Sequence, residues 1–78
     1  MEEKRNEFLK DAYLQYLQGR KRNNVVMIPK TSFQDWKEVR EIMNYWQSEG
    51  CVRILQEGAE YGGIEFTNEG IGQAQKLI

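Results

Sequence analysis

The chain contains no histidine, and Cys51 is the only cysteine among its 78 residues. A single thiol cannot form an internal disulfide, and the lack of histidine effectively excludes a structural zinc site. We therefore expect no metal and no cofactor. Cys51 lies between a predicted helix end and a predicted strand start, where it is most simply a small buried hydrophobic residue.

Long hydrophobic runs are also lacking. The longest, Val25 to Pro29, is far too short to cross a bilayer, and the opening Met-Glu-Glu-Lys-Arg lacks the apolar stretch of a signal peptide. These features predict a soluble cytoplasmic protein with no membrane partner. The length allows one domain, residues 1–78, and an apolar fraction of 40% is enough for one compact core.

Neither sign of charge dominates, since the net charge is −1. The first 24 residues carry six basic and four acidic side chains, whereas residues 51–78 carry two and four. The one dense basic cluster, Arg20 to Arg22, either caps the preceding helix within a solvated loop or contacts phosphate. DNA-binding domains usually have a stronger positive footprint, so this balance argues against tight, purely electrostatic DNA binding while allowing binding through one face.

Apolar periodicity predicts an α+β fold in the order helix, strand, helix, strand, strand, helix. The first helix is expected over Glu3 to Gln18, and Val25 to Pro29 is expected to form a short buried strand that the proline ends. The apolar stripe of the first helix consists of Phe8, Leu9, Ala12, Tyr13, Tyr16 and Leu17.

The strongest helical pattern runs from Phe33 to Ser48, with Thr31 or Ser32 as the predicted N-cap and Gly50 as the terminating residue. One face of this helix is apolar, and its two tryptophans are interpreted as core anchors and not as a ligand site. The apolar face consists of Trp36, Val39, Ile42, Met43 and Trp46.

A β-hairpin and a last helix complete the pattern. The strands are predicted over Cys51 to Gln56 and Ile64 to Thr67, joined by a glycine-rich turn over Glu57 to Gly63. Thr67 is the predicted N-cap of the last helix. The glycines at positions 70 and 72 are each expected to weaken that helix by up to roughly 1 kcal/mol relative to alanine. Its narrow apolar stripe consists of Ile71, Ala74, Leu77 and Ile78.

The segments YWQSEGCV, RIL and IEFTNEG, with the glycine-rich loop before the last of them, resemble the end of a winged-helix domain. In that family the recognition helix closes on a Glu-Gly pair, two strands form the wing, and Thr-x-x-Gly opens a final helix. VVMIP lies where the first strand of the small sheet would be. The chain is similar to small winged-helix proteins of bacteria and their phages, and the resemblance implies a helix-turn-helix fold with a DNA-binding or transcription-regulatory function.

One departure from the family concerns its second helix. Only the seven residues from Pro29 to Asp35 separate the first strand from the recognition helix. The second helix is therefore shortened to one turn, fused to the next helix, or missing. Because helix-turn-helix geometry sets how the recognition helix enters the major groove, this shortening bears on the docking pose.

Double-stranded DNA is the first predicted partner, bound by the outward face of the Phe33–Ser48 helix. Amide side chains pair with adenine edges and arginine pairs with guanine, while cations and helix N-termini hold phosphate. The competing interpretation is a solvated face of mixed charge, since Glu38 and Glu41 share it and the wing carries Glu57 and Glu60. The candidate DNA contacts are Lys30, Thr31, Lys37, Arg40, Asn44, Gln47 and Arg53.

The alternative function is a protein-interaction or dimerisation module. Tyr45 at the helix margin and Tyr61 at the hairpin tip are the candidate contact aromatics, although Tyr61 could instead fold back on the sheet. The wide stripe of the first helix could pair with its counterpart in a homodimer. An enzyme is not expected, because the sequence has no histidine, no phosphate-binding loop and no triad spacing. The glutamates of the hairpin would need a cleft to act as a two-carboxylate site.

Overall fold

The computed structural model describes residues 2–19, 24–30 and 35–78. Its elements follow the order α-β-α-β-β-α, which confirms the predicted α+β class and matches a small winged-helix-like layout. The three strands form one antiparallel sheet in the order β1-β3-β2, so the last strand lies in the centre. The elements are α1 Glu2–Gln18, β1 Val25–Pro29, α2 Trp36–Ser48, β2 Val52–Glu57, β3 Tyr61–Phe66 and α3 Asn68–Leu77.

The core lies between the helices and one face of the sheet. On β1, Val26 and Ile28 point into this core, whereas Met27 is 51% exposed on the opposite face. The expectation that β1 is buried throughout is therefore wrong for Met27, because successive strand residues point to opposite faces of the sheet. The buried side chains are Phe8, Leu9, Ala12, Tyr13, Val26, Ile28, Val39, Ile42, Met43, Trp46, Cys51, Val52, Ile64, Phe66 and Ala74.

The start of α2 differs from the sequence prediction. The helix begins at Trp36 and not at Phe33, and its N-cap is Asp35. The Asp35 carboxylate accepts hydrogen bonds from the backbone N–H groups of the second and third helical residues, at 3.1 and 3.3 Å. Three residues named in the prediction lie outside the described residues, namely Thr31, Ser32 and Phe33. The basic cluster Arg20 to Arg22 also lies outside them, as does most of the segment expected to hold a shortened second helix.

The junctions that end α2 and begin α3 are as predicted. Gly50 follows the C-cap of α2 with a φ of +78°, a left-handed conformation that glycine adopts without steric cost. Thr67 caps α3 by accepting a hydrogen bond from the Gly70 N–H at 3.0 Å. The Thr67 hydroxyl also donates to the Gly50 carbonyl at 2.6 Å, which ties the start of α3 to the end of α2.

The hairpin is longer than the sequence pattern indicated. The predicted turn over residues 57–63 is wrong, because β2 continues to Glu57 and β3 already begins at Tyr61. Gly62 and Gly63 are therefore strand residues. A Cβ atom on Gly62 would lie 2.6 Å from Cζ2 of Trp36, so the glycine is required by the close approach of the indole ring and not by a turn.

Both tryptophans pack on the core as expected, although to different extents. Trp46 is 4% exposed and donates from its indole Nε1 to the Arg5 carbonyl at 3.0 Å, which fixes α1 against α2. Trp36 is only partly buried. Cys51 is buried as predicted, and this burial raises the pKa of its thiol. The outer ends of two predicted apolar stripes are exposed, with Leu17 at 38% and Ile78 at 64%.

Candidate functional site

The outward face of α2 gathers four of the predicted DNA contacts. Lys37, Arg40, Asn44 and Gln47 follow one another at helical spacings of three, four and three residues, and all four are exposed. Their side chains therefore form one stripe, opposite the buried residues of the helix. We call these four residues the α2 stripe. Of the two glutamates expected on this face, Glu41 is exposed, whereas Glu38 is half-buried and pairs with Lys4 at 2.9 Å.

Two members of the α2 stripe are available for new contacts. Within the described residues, the side chains of Lys37 and Asn44 have no hydrogen-bond or ion-pair partner. One end of the Gln47 amide is already hydrogen-bonded, because its Oε1 accepts from the Ile54 backbone N–H at 2.8 Å. That bond holds the end of α2 against β2 while leaving the Gln47 amide nitrogen as a donor.

The remaining member of the α2 stripe, Arg40, is engaged by the hairpin. Its Nη2 donates to Oε2 of Glu57 at 2.8 Å, and its Nε donates to Oε1 at 3.3 Å. The indole Nε1 of Trp36 donates to the same Oε1 at 2.7 Å, and Lys30 Nζ lies 3.5 Å from Oε2. Lys30 Nζ also lies 5.3 Å from the centre of the Trp36 ring. We call Lys30, Trp36, Arg40 and Glu57 the Glu57 cluster.

The donors of the Glu57 cluster stabilise the ionised carboxylate. The hydrogen bond from Trp36 is the largest cause, followed by that from Arg40, and the charges of Arg40 and Lys30 add to them. The pKa of Glu57 is thereby lowered from 4.5 to about 2. The Glu57 side chain is 32% exposed, so water screens these interactions in part. The carboxylate is therefore charged throughout the physiological pH range, and the cluster carries two cations against one anion.

This lowered pKa predicts a specific dependence of stability on acid. A group whose pKa is lower in the folded state stabilises the fold fully above its unfolded value, and that contribution is lost as the pH falls from 4.5 to about 2. We expect the free energy of unfolding of the wild-type protein to fall more steeply across this range than that of Glu57→Gln. Urea unfolding followed by circular dichroism at a series of pH values measures both slopes.

The matched control for the acid series is Glu60→Gln. Glu60 lies in the same hairpin, is exposed, and has no ion pair among the described residues. Its variant should keep the wild-type slope. Equal slopes for the wild type and Glu57→Gln would contradict the role assigned to the Glu57 carboxylate.

Of the remaining sequence candidates, Arg53 and Tyr45 lie outside the α2 stripe and contact other partners. Arg53 lies on β2 opposite Glu65 of β3, and its Nη1 lies 3.3 Å from the Glu65 carboxylate. Thr31 lies outside the described residues. Tyr45 is partly buried, with the Arg5 guanidinium 3.9 Å above its ring, so it supports the contact between α1 and α2.

Tyr61 is 45% exposed at the start of β3, and it does not occupy the hairpin tip predicted for it. With Met27 and Leu55 it borders a shallow depression on the outer face of the sheet, whose floor is Gly63. We call Met27, Leu55 and Tyr61 the outer sheet face, and none of the α2 stripe residues lines this depression.

The part that sequence reasoning missed is the Glu57 cluster. The sequence alone indicates an acidic wing residue at Glu57 and a core anchor at Trp36, and it does not link the two. One available signal was the indole N–H, which usually finds an acceptor when the ring is partly buried. Another was the spacing of Trp36 and Arg40, which places both on the same side of the helix. Neither signal identifies Glu57 as the acceptor, because Glu57 is 21 residues from Trp36 along the chain.

The described residues contain no group of side chains arranged to hold a metal ion. Among the described helices, none is long and apolar enough to span a membrane. Comparison of the chain with protein-family models, with curated proteins and with solved structures finds no match. The functional argument therefore depends on the geometry of α2 and the hairpin.

Proposed function

We propose that this protein is a small winged-helix DNA-binding protein with a transcription-regulatory role in the cytoplasm. The observation that carries the proposal is the α2 stripe, a row of exposed basic and amide side chains on the helix that precedes the hairpin. A helix of this kind fits the major groove of B-DNA, where amides and arginine read base edges.

The proposed roles follow from side-chain chemistry. The Lys37 side chain has no partner within the described residues and lies in the first turn of α2, where it would contact a backbone phosphate. Asn44 lies near the middle of the exposed face and has both a donor and an acceptor to offer an adenine edge. The Gln47 amide nitrogen adds one donor beyond it. Because the net charge is −1, we expect the affinity for random DNA to be weak and to fall as the salt concentration rises.

A fluorescent duplex of random sequence tests this function. We expect binding at about 50 mM salt that weakens several-fold at about 200 mM, because binding releases counterions from the phosphates and added salt makes that release less favourable. Lys37→Gln should weaken binding to all sequences and reduce the slope of log affinity against log salt by about 1. Fluorescence anisotropy measures both quantities.

Lys10→Gln provides the matched control for this titration. Lys10 is exposed on α1, outside the α2 stripe, and its substitution removes the same charge. It should leave the affinity and the salt slope close to those of the wild type. The absence of binding at tens of micromolar protein and about 50 mM salt, or an equal loss in both variants, would rule out DNA binding through α2.

A second candidate function, a protein-interaction module, is favoured by the outer sheet face. Met27 and Tyr61 are 51% and 45% exposed, and contact surfaces are enriched in methionine and tyrosine. Sedimentation of the chain as a homodimer, together with an absence of DNA binding, would favour this function over the first.

A further inference from the structure

The Glu57 cluster has the donor set of an anion site. Two cationic side chains and one indole N–H converge on the two oxygens of a single carboxylate, at distances from 2.7 to 3.5 Å. Guanidinium and ammonium groups are the side chains that proteins use most to bind phosphate, and the planar guanidinium donates two hydrogen bonds at once. Glu57 is thus held as a bound anion would be.

The cluster has an excess of one positive charge, so an anion with more negative charge than a carboxylate would be bound more strongly. Lys30 and Arg40 supply two positive charges, whereas Glu57 supplies one negative charge. Neither cation has another carboxylate partner within the described residues. A phosphate group offers more acceptor oxygens than a carboxylate and would satisfy the same donors.

The cluster is also open to solvent on the side where DNA would approach. The Arg40 side chain is 52% exposed, and Arg40 belongs both to this cluster and to the α2 stripe. Glu57 is the last residue of β2, next to the hairpin loop, and the pairing of β2 with β3 is irregular between Ile54 and Glu57. The carboxylate therefore lies at the end of its strand, where its side chain can turn away without breaking the sheet.

We infer that the Glu57 carboxylate occupies a phosphate-binding site formed by Lys30, Trp36 and Arg40, and that a backbone phosphate of DNA competes with it for this site. This inference rests on the proposed function, because the α2 stripe places the phosphate. Glu57 then acts as an internal competitor. It keeps Arg40 neutralised in the free protein and weakens binding to DNA that makes no further contacts with α2.

Glu57→Gln tests the competition while preserving the fold, because glutamine keeps an oxygen to accept the Trp36 N–H. We expect its affinity for the random duplex at about 50 mM salt to rise by on the order of tenfold, with a salt slope steeper by about 1, because one further phosphate is neutralised at the site that Glu57 no longer blocks. Glu60→Gln removes the same charge from the same hairpin and controls for net charge. An equal gain in both variants, or no gain in Glu57→Gln, would overturn the inference.

A second measurement tests the anion site without DNA. The indole N–H signals of Trp36 and Trp46 are recorded by ¹H–¹⁵N NMR while inorganic phosphate is added to Glu57→Gln. The chemical shift of the Trp36 N–H should change as phosphate is added and reach a plateau when the site is saturated. The Trp46 N–H, which is bonded to the Arg5 carbonyl, should keep its chemical shift. The additional substitution Arg40→Gln should abolish the shift. If the chemical shift of the Trp36 N–H did not change with phosphate, no anion site would exist there.

The two measurements separate the two proposals. A Trp36 shift with phosphate, combined with no DNA binding by any variant, would support the phosphate site and reject the DNA-binding function. DNA binding by the wild type without a greater gain in Glu57→Gln than in Glu60→Gln would support the function and reject the competition.

Discussion

Gly70→Ala should destabilise the protein by about 3 kcal/mol or more, because the added methyl group has no space. Its Cβ would lie 1.9 Å from the Cys51 carbonyl oxygen and 3.1 Å from Cδ1 of Phe66. The first of these neighbours is backbone, which cannot turn aside as a flexible side chain can. The first turn of α3 must therefore move away from the end of α2, and this displacement breaks the hydrogen bond between the Thr67 N–H and the Cys51 carbonyl.

Gly72→Ala is the matched control, two positions further along the same helix. A Cβ at Gly72 meets no atom within 4 Å, so alanine there should gain its helix propensity of about 0.5–1 kcal/mol and raise the melting temperature. Urea and thermal unfolding by circular dichroism measure both changes. If the two variants were equally stable, the close packing of α3 on the Cys51 carbonyl would be refuted.

This pair of substitutions revises the sequence expectation for α3. Propensity alone assigns both glycines the same small cost in helix stability. In the folded protein Gly72 has that cost, whereas Gly70 is needed for the close approach of α3 to the Cys51 carbonyl, which lies between α2 and β2. The two positions have the same residue type and the same helix, so only their tertiary contacts distinguish them.

Gly62→Ala should destabilise the protein by about 1–3 kcal/mol, since its Cβ would lie 2.6 Å from Cζ2 of Trp36. The indole ring is rigid, and its Nε1 is bonded to the Glu57 carboxylate at 2.7 Å. Relief of the overlap requires the ring to shift, and that shift weakens the Glu57 cluster. The expected signature is a loss of stability together with a changed chemical shift of the Trp36 indole N–H.

The neighbouring substitution Gly63→Ala is the control. Its Cβ would make ordinary contacts, the nearest being Met27 Sδ at 3.4 Å, and the end of a methionine side chain yields readily. Its free energy of unfolding should stay within about 1 kcal/mol of the wild-type value, and the Trp36 signal should not move. A stable Gly62→Ala variant with an unchanged Trp36 signal would contradict the packing of the ring on β3.

Local sequence signals predicted the features that depend on neighbouring residues. The apolar period of α2 identified its buried side chains, and Gly50 and Thr67 marked the helix end and the helix start that the structure contains. These assignments succeeded because capping bonds and amphipathic faces involve residues only a few positions apart. The N-cap of α2 was predicted at Thr31 or Ser32 and is Asp35. Aspartate caps helices as well as serine or threonine does, and the apolar period does not fix the residue at which the helix begins.

Contacts between distant residues could not be obtained in this way. The glycines of the hairpin are typical of turn residues, because glycine is common in turns. The local sequence around them gives no sign that the ring of Trp36, which is distant along the chain, packs on Gly62. Likewise, Arg40 and Glu57 were assigned as a DNA contact and an acidic wing residue, although in the folded chain they neutralise one another.

By itself the sequence determined the class of the fold, the order of its elements, and the basic and amide stripe that makes DNA binding the leading proposal. The tertiary structure decided which of those side chains are free to bind. The physical reason is that periodicity and capping are local, whereas the pairing of a charge depends on which distant group the fold brings within about 4 Å of it. In this protein the hairpin brings Glu57 to Arg40 and leaves Lys37 and Asn44 without a partner among the described residues.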